Sequence, residues 1–420
     1  MKTEDRRARG EIICRRESHG GTVFHPDDAT FVQLDHEAFD CVKRTFAQGE
    51  KPQTDDERRL VQELTATLPS TDRVFRVVEN FAPQARSLTG LLSSPILVDW
   101  QITERCGMGC PQCYASSIPK GKDVSWDDAI LAVEQMREAG VCQVALGGGE
   151  PVLHPRLDEL LELIRENGMV PNITTTGVGM SEKQLRSMKK NCGAVAMSLE
   201  GVDEKFSLRR KQGFPMFRKV ADRFLAAEVP LVFQITVSSG NIDELDAIVD
   251  FCASIEPLYG VVFLAHKPAG RAQIFDRPLA GLDHPSVHEK IMRAVRTLHP
   301  KTRVGFDCCF TPTLVGLESD MGFLPGTVVE GCSATRSGVG LTPDLDLLPC
   351  TFLTDKVLGN LRERTLLEVW NGLPASRFRK GMELHAVTDA NCRSCSANAN
   401  CLGGCSAWSL TGCLTKAANA

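Results

Sequence analysis

Apolar positions divide the chain into regions with different periods. Residues 10–34 alternate short apolar runs with turns, which predicts small strands joined by a hairpin. Helices should follow over 36–47 and 55–68, because a residue that can cap a helix precedes each segment and the apolar residues inside it have helical spacing. This pattern predicts a compact winged-helix-like module in residues 1–80. A structural extension of the next domain is the alternative interpretation.

A linker is predicted over 82–94, and the pattern then changes to strands that alternate with helices. Buried strands are predicted at 96–102, 141–146, 170–175, 194–199, 231–237 and 261–264. Helical segments separate them, which is typical of parallel βα units, and about six such units fit before residue 300. The pattern therefore predicts an α/β fold for the central region.

Charge and composition exclude several functional classes. The formal net charge of −5 gives no electrostatic reason to expect nucleic-acid or membrane binding. Residues 1–80 hold 13 Lys/Arg against 16 Asp/Glu, which counts against a DNA-binding winged helix. The charged N-terminus lacks the apolar core of a signal peptide, and no run of roughly 18 uncharged apolar residues occurs. These features predict a cytoplasmic protein without a membrane span.

The most specific pattern is T-E-R-C-G-M-G-C-P-Q-C-Y over residues 103–114. It spaces Cys106, Cys110 and Cys113 as Cys-x3-Cys-x2-Cys. Three thiolates on one loop can hold three irons of a 4Fe–4S cluster and leave the fourth iron open to a ligand. The glycines between the first two cysteines let the backbone curl around a cluster. Since the chain contains 17 cysteines, chance spacing is the alternative.

With Tyr114 directly after the third cysteine, this loop resembles the radical S-adenosylmethionine (SAM) superfamily. The resemblance implies a partial (β/α)6 barrel over residues 95–300, with its chemistry at the C-terminal strand ends. It implies that SAM binds the open iron through its amine and carboxylate. An electron from the reduced cluster then cleaves the sulfonium and yields a 5′-deoxyadenosyl radical. Tyr114 is predicted to contact this cofactor.

The resemblance implies further SAM contacts at predicted strand ends. G-G-G-E-P at 147–151 is similar to the GGE motif that receives the SAM amine, which predicts contacts from Gly148, Gly149 and Glu150. A glycine-rich turn without ligand contacts is the alternative. The other implied contacts are Thr176, Ser198, Glu200 and Arg209, with Arg210 as the alternative to Arg209. For each of these residues, a strand-end cap or a solvated charge is the alternative interpretation. The turn Gly270-Arg271-Ala272 resembles one that closes the barrel and is predicted to be structural.

Beyond residue 300 the chain is dense in cysteine, and it resembles the SPASM domain, expected over 305–420. Paired cysteines also occur in zinc ribbons, but those sites rarely need so many in a row. The resemblance implies two auxiliary 4Fe–4S clusters. The outer cluster would be bound by Cys392, Cys395, Cys401 and Cys413. The inner cluster would be bound by Cys309, Cys332, Cys350 and Cys405, with Cys308 as the runner-up to Cys309 and an open iron as a further alternative.

Two smaller features accompany these cysteines. Leu345 stands where the SPASM pattern usually has glycine, a change that affects a turn rather than a ligand. The cysteines on ordinary predicted strands and helices should be small core residues, namely Cys14, Cys41, Cys142, Cys192 and Cys252.

The stretch over residues 20–40 resembles the PqqD-like peptide-recognition element, in which a leader peptide adds a strand to a small sheet. The whole chain thus resembles radical SAM/SPASM maturases of ribosomally made peptides, which implies a thioether or carbon–carbon crosslink. The implied partners are a precursor peptide and a reductant such as flavodoxin or ferredoxin. No single Asp, Glu or His stands out as a base. The alternatives are formylglycine-type sulfatase maturation, maturation of a peptide-derived redox cofactor, and an iron–sulfur electron-transfer protein.

Overall fold

The computed structural model describes the following residues: 11–79, 91–275, 285–299, 301–311, 314, 331–395, 398–401 and 403–408. They contain two β-sheets, one of four strands and one of ten. Cys413 and most of the predicted linker lie outside the described residues. Among the helices within these ranges, none is long and apolar enough to cross a membrane.

The N-terminal sheet consists of β1 (Ile12–Glu17), β2 (Gly20–His25), β3 (Thr30–Leu34) and β4 (Phe75–Val78). The strand order is β3-β2-β1-β4, so β3 forms an edge. The predicted hairpin joins β2 to β3, whereas β4 was not predicted and pairs parallel with β1. This parallel pairing closes the small module around the two predicted helices.

Those helices are α1 (His36–Val42), extended by a π-helical turn (Lys43–Ala47), and α2 (Asp55–Thr67). Asp35 caps α1 by accepting a hydrogen bond from Ala38 N at 2.8 Å. Thr54 and Glu57 form a capping box at the start of α2. The apolar faces of both helices bury against β1 and β2.

The second sheet consists of β5 (Leu97–Thr103), β6 (Gln143–Gly148), β7 (Val170–Thr174), β8 (Val195–Ser198), β9 (Leu231–Val237), β10 (Gly260–Ala265), β11 (Arg303–Phe306), β12 (Gly338–Leu341), β13 (Asp346–Leu348) and β14 (Gly359–Asn360). Its order is β11-β10-β9-β8-β7-β6-β5-β12-β13-β14. The six predicted strands, β5 to β10, are consecutive parallel neighbours, which confirms the α/β barrel architecture. The C-terminal region completes the sheet, because β12 pairs parallel with β5.

The remaining helices cover this sheet or follow it in the C-terminal region. They are α3 (Trp126–Ala139), α4 (Leu157–Glu166), α5 (Glu182–Asn191), α6 (Asp203–Arg209), α7 (Phe214–Ala226), α8 (Leu245–Ala253), α9 (Ala272–Phe275), α10 (Pro285–Leu298), α11 (Leu366–Trp370), α12 (Leu373–Thr388), α13 (Ala390–Arg393) and α14 (Asn398–Cys401).

Side chains on β5 alternate between the helix-covered core and the barrel interior. Val98, Trp100 and Ile102 are fully buried in the main core, together with apolar residues of α3. Successive side chains on a strand point to opposite faces, so Asp99 and Gln101 face the interior. The side of β5 that faces the barrel interior is therefore polar.

A buried ion pair fixes the N-terminal sheet to the barrel. Arg15 and Glu17, both 1% exposed, pair through Arg15 Nε and Glu17 Oε1 at 2.6 Å. Arg15 Nη1 also donates to Ser94 Oγ at 2.7 Å and to the Gly140 carbonyl at 3.0 Å. Glu17 Oε2 accepts from Ser93 N at 2.6 Å. The end of the predicted linker is thus buried in a charged joint between the two sheets.

The core cysteines and Leu345 behave as their sequence context indicates. The five cysteines predicted to be small core residues are all buried. Leu345 is fully buried and takes a left-handed backbone conformation with φ +65°. Glycine adopts that conformation without steric cost, so leucine departs from the usual residue while the turn keeps its shape.

Candidate functional site

The three-cysteine loop leaves β5 and folds back on itself. Cys106 N donates to the Ile118 carbonyl at 2.9 Å, which ties the start of the loop to its end. Cys110 is buried, while Cys106 and Cys113 are half-buried. Burial raises the pKa of the Cys106 thiol, while the Met108 N–H bonds to its sulfur and lowers the pKa. Cys110 and Cys113 act on the same sulfur electrostatically, so the structure brings the three thiols together.

Arg271 clamps this loop from the opposite side of the barrel. Its backbone N donates to the Cys113 carbonyl at 3.0 Å. Its Nε and Nη1 donate to the carbonyls of Cys110 and Ser117, each at 3.0 Å. Gly270, with φ +55°, lies so close to the Tyr114 carbonyl that any side chain would overlap it. The predicted structural turn is therefore a clamp on the loop.

The G-G-G-E-P turn braces the loop from the end of β6. Gly149 N donates to the Thr103 carbonyl at 2.6 Å, and Glu150 N donates to the Arg105 carbonyl at 2.7 Å. A Cβ at Gly148 or Gly149 would overlap the Thr103 or Arg105 carbonyl oxygen, respectively. The close approach of two backbones thus requires these glycines.

Glu150 is buried and is hydrogen-bonded to Thr176, which is another predicted SAM contact, and to the neighbouring Thr175. Its carboxylate accepts hydrogen bonds from the Thr175 hydroxyl, from Thr176 N at 2.7 Å and from Thr176 Oγ1 at 2.5 Å. Burial raises the pKa of Glu150, and these donors oppose the increase. A bound SAM amine would share this carboxylate with protein donors.

Glu200 and Arg210 form the charged pair of the site. Arg210 Nε and Nη2 donate to the two Glu200 oxygens at 2.6 and 2.5 Å, a bidentate geometry. Burial lowers the pKa of Arg210, but Glu200 and the Cys110 and Cys113 thiols raise it well above its ordinary value. Arg210 therefore faces the three-cysteine loop.

Arg209 and Ser198 take different positions from this pair. The Arg209 side chain is buried and donates to the Gly240 carbonyl, so the structure places Arg210, rather than the predicted Arg209, beside the loop. Ser198 ends β8 and is half-buried, next to Gln234 of β9. The difference between the two arginines arises at the end of α6, where adjacent residues point in different directions.

The loop and its surroundings leave room for a cofactor. Gly107, Gly109 and Gly147 have no neighbouring atom within 4 Å of the position that a Cβ would occupy. Three thiols, an N–H donor to one sulfur and this open space fit a 4Fe–4S cluster with one open iron. In the described part of the chain, no three His, Cys, Asp or Glu side chains converge closely enough to hold a single metal ion.

A second group of thiols lies where β11 ends. Hydrogen bonds join the Cys308 thiol to those of Cys309 and Cys332, and another joins Cys309 to Cys405. Cys405 also acts electrostatically on Cys350. Both candidates for the fourth ligand therefore lie in one group with the other three predicted inner ligands.

A buried cation accompanies this group. Lys267 Nζ contacts Asp307 Oδ2 at 2.5 Å; Lys267 is buried and Asp307 is half-buried. Burial lowers the pKa of Lys267, but Asp307 and the neighbouring thiols raise it well above its ordinary value. Neither charged residue was among the residues predicted for the site.

An aromatic contact connects the two cysteine groups. The rings of Tyr114 and Phe352 are tilted by 36°, with their centroids 4.5 Å apart. Lys267 Nζ lies 4.8 Å from the centroid of the same Phe352 ring. Tyr114 follows a cysteine of the loop, whereas Phe352 lies two residues after Cys350, so this contact spans the space between the groups.

Of the other predicted cysteines, Cys392 and Cys401 lie on the short helices α13 and α14, and Cys395 lies between these helices. Cys392 and Cys401 are buried, and Cys395 is half-buried. Cys395 N donates to the Cys392 carbonyl at 3.1 Å, which curls this segment tightly. The fourth predicted ligand of this set, Cys413, lies outside the described residues.

Family comparisons agree with this arrangement. Residues 100–252 match the radical SAM superfamily, and residues 332–396 match SPASM, an iron–sulfur cluster-binding domain. This chain is a radical SAM enzyme with a SPASM domain. Radical SAM enzymes use SAM and iron–sulfur clusters, which confirms those two cofactor classes.

Among known relatives, the enzyme is 27% identical over 333 residues to the PqqA peptide cyclase of Gluconobacter oxydans, covering 77% of this chain and 89% of that protein. In structure it is similar to Streptococcus suis SuiB bound to the precursor peptide SuiA, with a TM-score of 0.73, 17% identity and 94% of each chain covered. It is also similar to anSMEcpe with bound AdoMet, with a TM-score of 0.58, 19% identity, and 74% of this chain and 90% of that one covered. These structures share its fold.

Proposed function

We propose that this radical SAM enzyme modifies a ribosomally made precursor peptide and installs a crosslink in it. The observation that carries the proposal is the 27% identity to a peptide cyclase across most of both chains. A 5′-deoxyadenosyl radical from bound SAM would remove a hydrogen atom from a carbon of the peptide. The carbon radical would then form a thioether or carbon–carbon bond.

The proposed SAM site combines the loop thiols of Cys106, Cys110 and Cys113 with the charged pair of Glu200 and Arg210. The Arg210 guanidinium lies near the loop, where a carboxylate bound to the open iron would gain from a cation. Tyr114, Gly148, Gly149, Glu150, Thr176 and Ser198 complete the proposed site. Among these residues, the two glycines act by holding the loop in place.

Two auxiliary clusters and an external reductant complete the proposed machinery. Five thiols near Lys267 are available for an inner 4Fe–4S cluster, and Cys392, Cys395 and Cys401 are available for an outer one together with Cys413. A small electron-transfer protein such as flavodoxin or ferredoxin would reduce the enzyme.

The N-terminal sheet is the proposed docking site for the leader of the precursor. Half-buried and exposed residues alternate along the edge strand β3 before the buried Leu34, and Phe31 on this strand is 37% exposed. An extended peptide can add a strand to such an edge through main-chain hydrogen bonds. SuiB, whose fold covers 94% of this chain, has a structure with a bound precursor peptide, which supports a peptide partner for this enzyme.

The test begins with a search beside this gene for a short open reading frame rich in cysteine or aromatic residues, and reconstitution then uses the peptide that it encodes. The enzyme is loaded with iron and sulfide without oxygen and is then mixed with SAM, a reductant and the peptide. A crosslink should remove two hydrogen atoms from the peptide and block fragmentation between the joined residues in tandem mass spectrometry. An aldehyde that reacts with a hydrazide would instead indicate formylglycine formation and would overturn the proposal.

Leader docking is tested with a charge on the edge strand. Phe31→Glu should weaken leader binding about tenfold or more, because the new carboxylate would be desolvated by the added strand. Val357→Glu is the matched control, since Val357 is 51% exposed in the C-terminal region. Equal leader affinity of the two variants in fluorescence anisotropy would reject docking on β3.

A further inference from the structure

A carboxylate that the sequence did not single out lies inside the barrel. Asp99 on β5 is paired across the sheet with Ala145 of β6 and Gly340 of β12. The backbone of Cys350 and Thr351 lies where a side chain on Gly340 would project, which places Thr351 beside the carboxylate. Asp99 is surrounded by protein but remains partly accessible. This is expected of a residue that lines an internal space.

Asp99 lies at one end of a hydrogen-bonded chain that contains two hydroxyl groups. Its Oδ2 accepts a hydrogen bond from Thr351 Oγ1 at 2.9 Å. The Thr351 hydroxyl is in turn hydrogen-bonded to the Tyr114 hydroxyl. Thr351 directly follows Cys350, and Tyr114 directly follows Cys113, so this relay lies between the two cysteine groups.

The other carboxylates of the site are already engaged. Glu150 accepts several hydrogen bonds, Glu200 forms a bidentate pair with Arg210, and Asp307 pairs with Lys267. In the described residues, Asp99 has a neutral hydroxyl as its hydrogen-bond partner and forms no ion pair. Asp99 can therefore take up a proton without breaking a salt bridge and without breaking a set of hydrogen bonds such as the one that holds Glu150.

The electrostatics of Asp99 suit proton uptake near neutral pH. Burial raises its pKa from 3.8 to about 6, and the Thr351 hydrogen bond opposes the increase. The carboxylate is therefore ionised at pH 7 but has a pKa close to that pH, which favours a general base. Among the described titratable groups, Asp99 lies close enough to Tyr114 and Cys350 to act on both electrostatically.

We propose that Asp99, acting through the Thr351 hydroxyl, accepts the proton that is released when the crosslink forms. This role rests on the proposed function. The peptide radical joins a nucleophile that carries a hydrogen, such as a thiol, and a carbon–heteroatom or carbon–carbon bond replaces the nucleophile's bond to hydrogen. The proton passes to Asp99, and the remaining electron passes to an oxidised auxiliary 4Fe–4S cluster. Atoms and charge balance in this step.

Asp99→Asn keeps the shape of the side chain and removes the proton acceptor. It should lower crosslinked product by about 10²- to 10⁴-fold, the usual contribution of a general base. Hydrogen abstraction should continue, so deuterium from a labelled peptide should still enter 5′-deoxyadenosine. An unchanged ratio of product to 5′-deoxyadenosine would overturn the proposal.

Thr351 supplies a second, matched pair of variants. Thr351→Val removes the relay hydroxyl and should lower the product ratio, whereas Thr351→Ser keeps the hydroxyl and should preserve the ratio. Equal ratios for the two variants would contradict the relay even if Asp99→Asn failed to fold. In the wild type, product formation should fall as the pH drops through about 6, because protonated Asp99 cannot accept the proton.

A redox titration gives a readout that does not depend on turnover. Reduction adds negative charge to the inner cluster, which should draw a proton to Asp99. The midpoint potential of that cluster should therefore rise as pH falls in the wild type and vary less in Asp99→Asn. Identical pH dependence in both proteins would count against the proposal.

The two proposals fail in different ways. A wild-type enzyme that crosslinks no precursor would reject the proposed function. A wild-type enzyme that crosslinks its precursor, together with an Asp99→Asn variant that does so with the same efficiency, would reject only the role of Asp99.

Discussion

Arg271 illustrates how one side chain can hold a reactive loop. Its planar guanidinium donates in two directions, to the carbonyls of Cys110 and Ser117. Lysine carries the same charge but lacks the rigid fork that spans two acceptors. The shape of the three-cysteine loop should therefore depend on arginine itself.

Arg271→Lys should reduce the iron retained by the loop after anaerobic reconstitution. Losing one of two hydrogen bonds from a charged group should cost about 1.5–3 kcal/mol of loop stability. The measurement is iron per chain, together with the SAM-induced change in the cluster's electron paramagnetic resonance signal. Arg293→Lys is the control, since Arg293 forms an exposed ion pair with Asp246. Equal iron content in the two variants would contradict the clamp.

Local motif spacing predicted some site residues, whereas residues whose partners lie far away in sequence could not be predicted. Cys106, Cys110 and Cys113 could be found because a loop motif needs no knowledge of the fold. Arg271 lies 161 residues from Cys110, and Asp99 lies 252 residues from Thr351, so their hydrogen bonds leave no local pattern. The preference for Arg210 over Arg209 depends on how α6 ends, which a motif spacing does not specify.

At the scale of elements, the charged joint decides how the N-terminal sheet meets the barrel. Arg15 on β1 reaches the Gly140 carbonyl at the end of α3, and Glu17 reaches the backbone of Ser93. Both side chains are removed from water, so each depends on the other for charge compensation.

Glu17→Gln should destabilise this joint by about 3–5 kcal/mol, because it leaves Arg15 buried without a counter-charge. The double variant Arg15→Met/Glu17→Leu should lose less, since no isolated charge remains. Hydrogen exchange of the β1 amides measures the effect. If the single variant were as well protected as the wild type, the joint would not depend on this pair.

Apolar content made the strands of the barrel recognisable in the sequence. Strands β5 to β10 are rich in apolar residues, because at least one face of each is buried in the main core. Strands β4 and β12 are only four residues long, and each pairs with a strand far away in sequence. Tertiary pairing rather than local propensity determines such strands.

At the scale of the whole molecule, the cysteines separate into proposed ligands and core residues. If the three proposed clusters form, the reconstituted enzyme should contain about 12 iron atoms per chain. Cys110→Ser and Cys405→Ser should each remove about four of them, from different clusters. Cys252→Ala should leave the iron content unchanged, because Cys252 is a buried core residue on α8.

Iron and sulfide assays, with Mössbauer spectra of each variant, measure these contents. A wild-type value near four would remove the auxiliary clusters from the proposal while leaving the SAM cluster in place. Loss of the same iron from both serine variants would show that the two thiols do not serve separate clusters.

The charged joint at Arg15 and Glu17 has a consequence for the peptide itself. If this buried pair holds the N-terminal sheet against the barrel, the separation between the open edge of the sheet and the barrel is constant. For a peptide that is anchored at the sheet edge and modified in the barrel, the number of residues between the anchored and modified positions would then be fixed. Inserting residues between its anchored and altered segments should shift the altered position back along the peptide by the same number of residues.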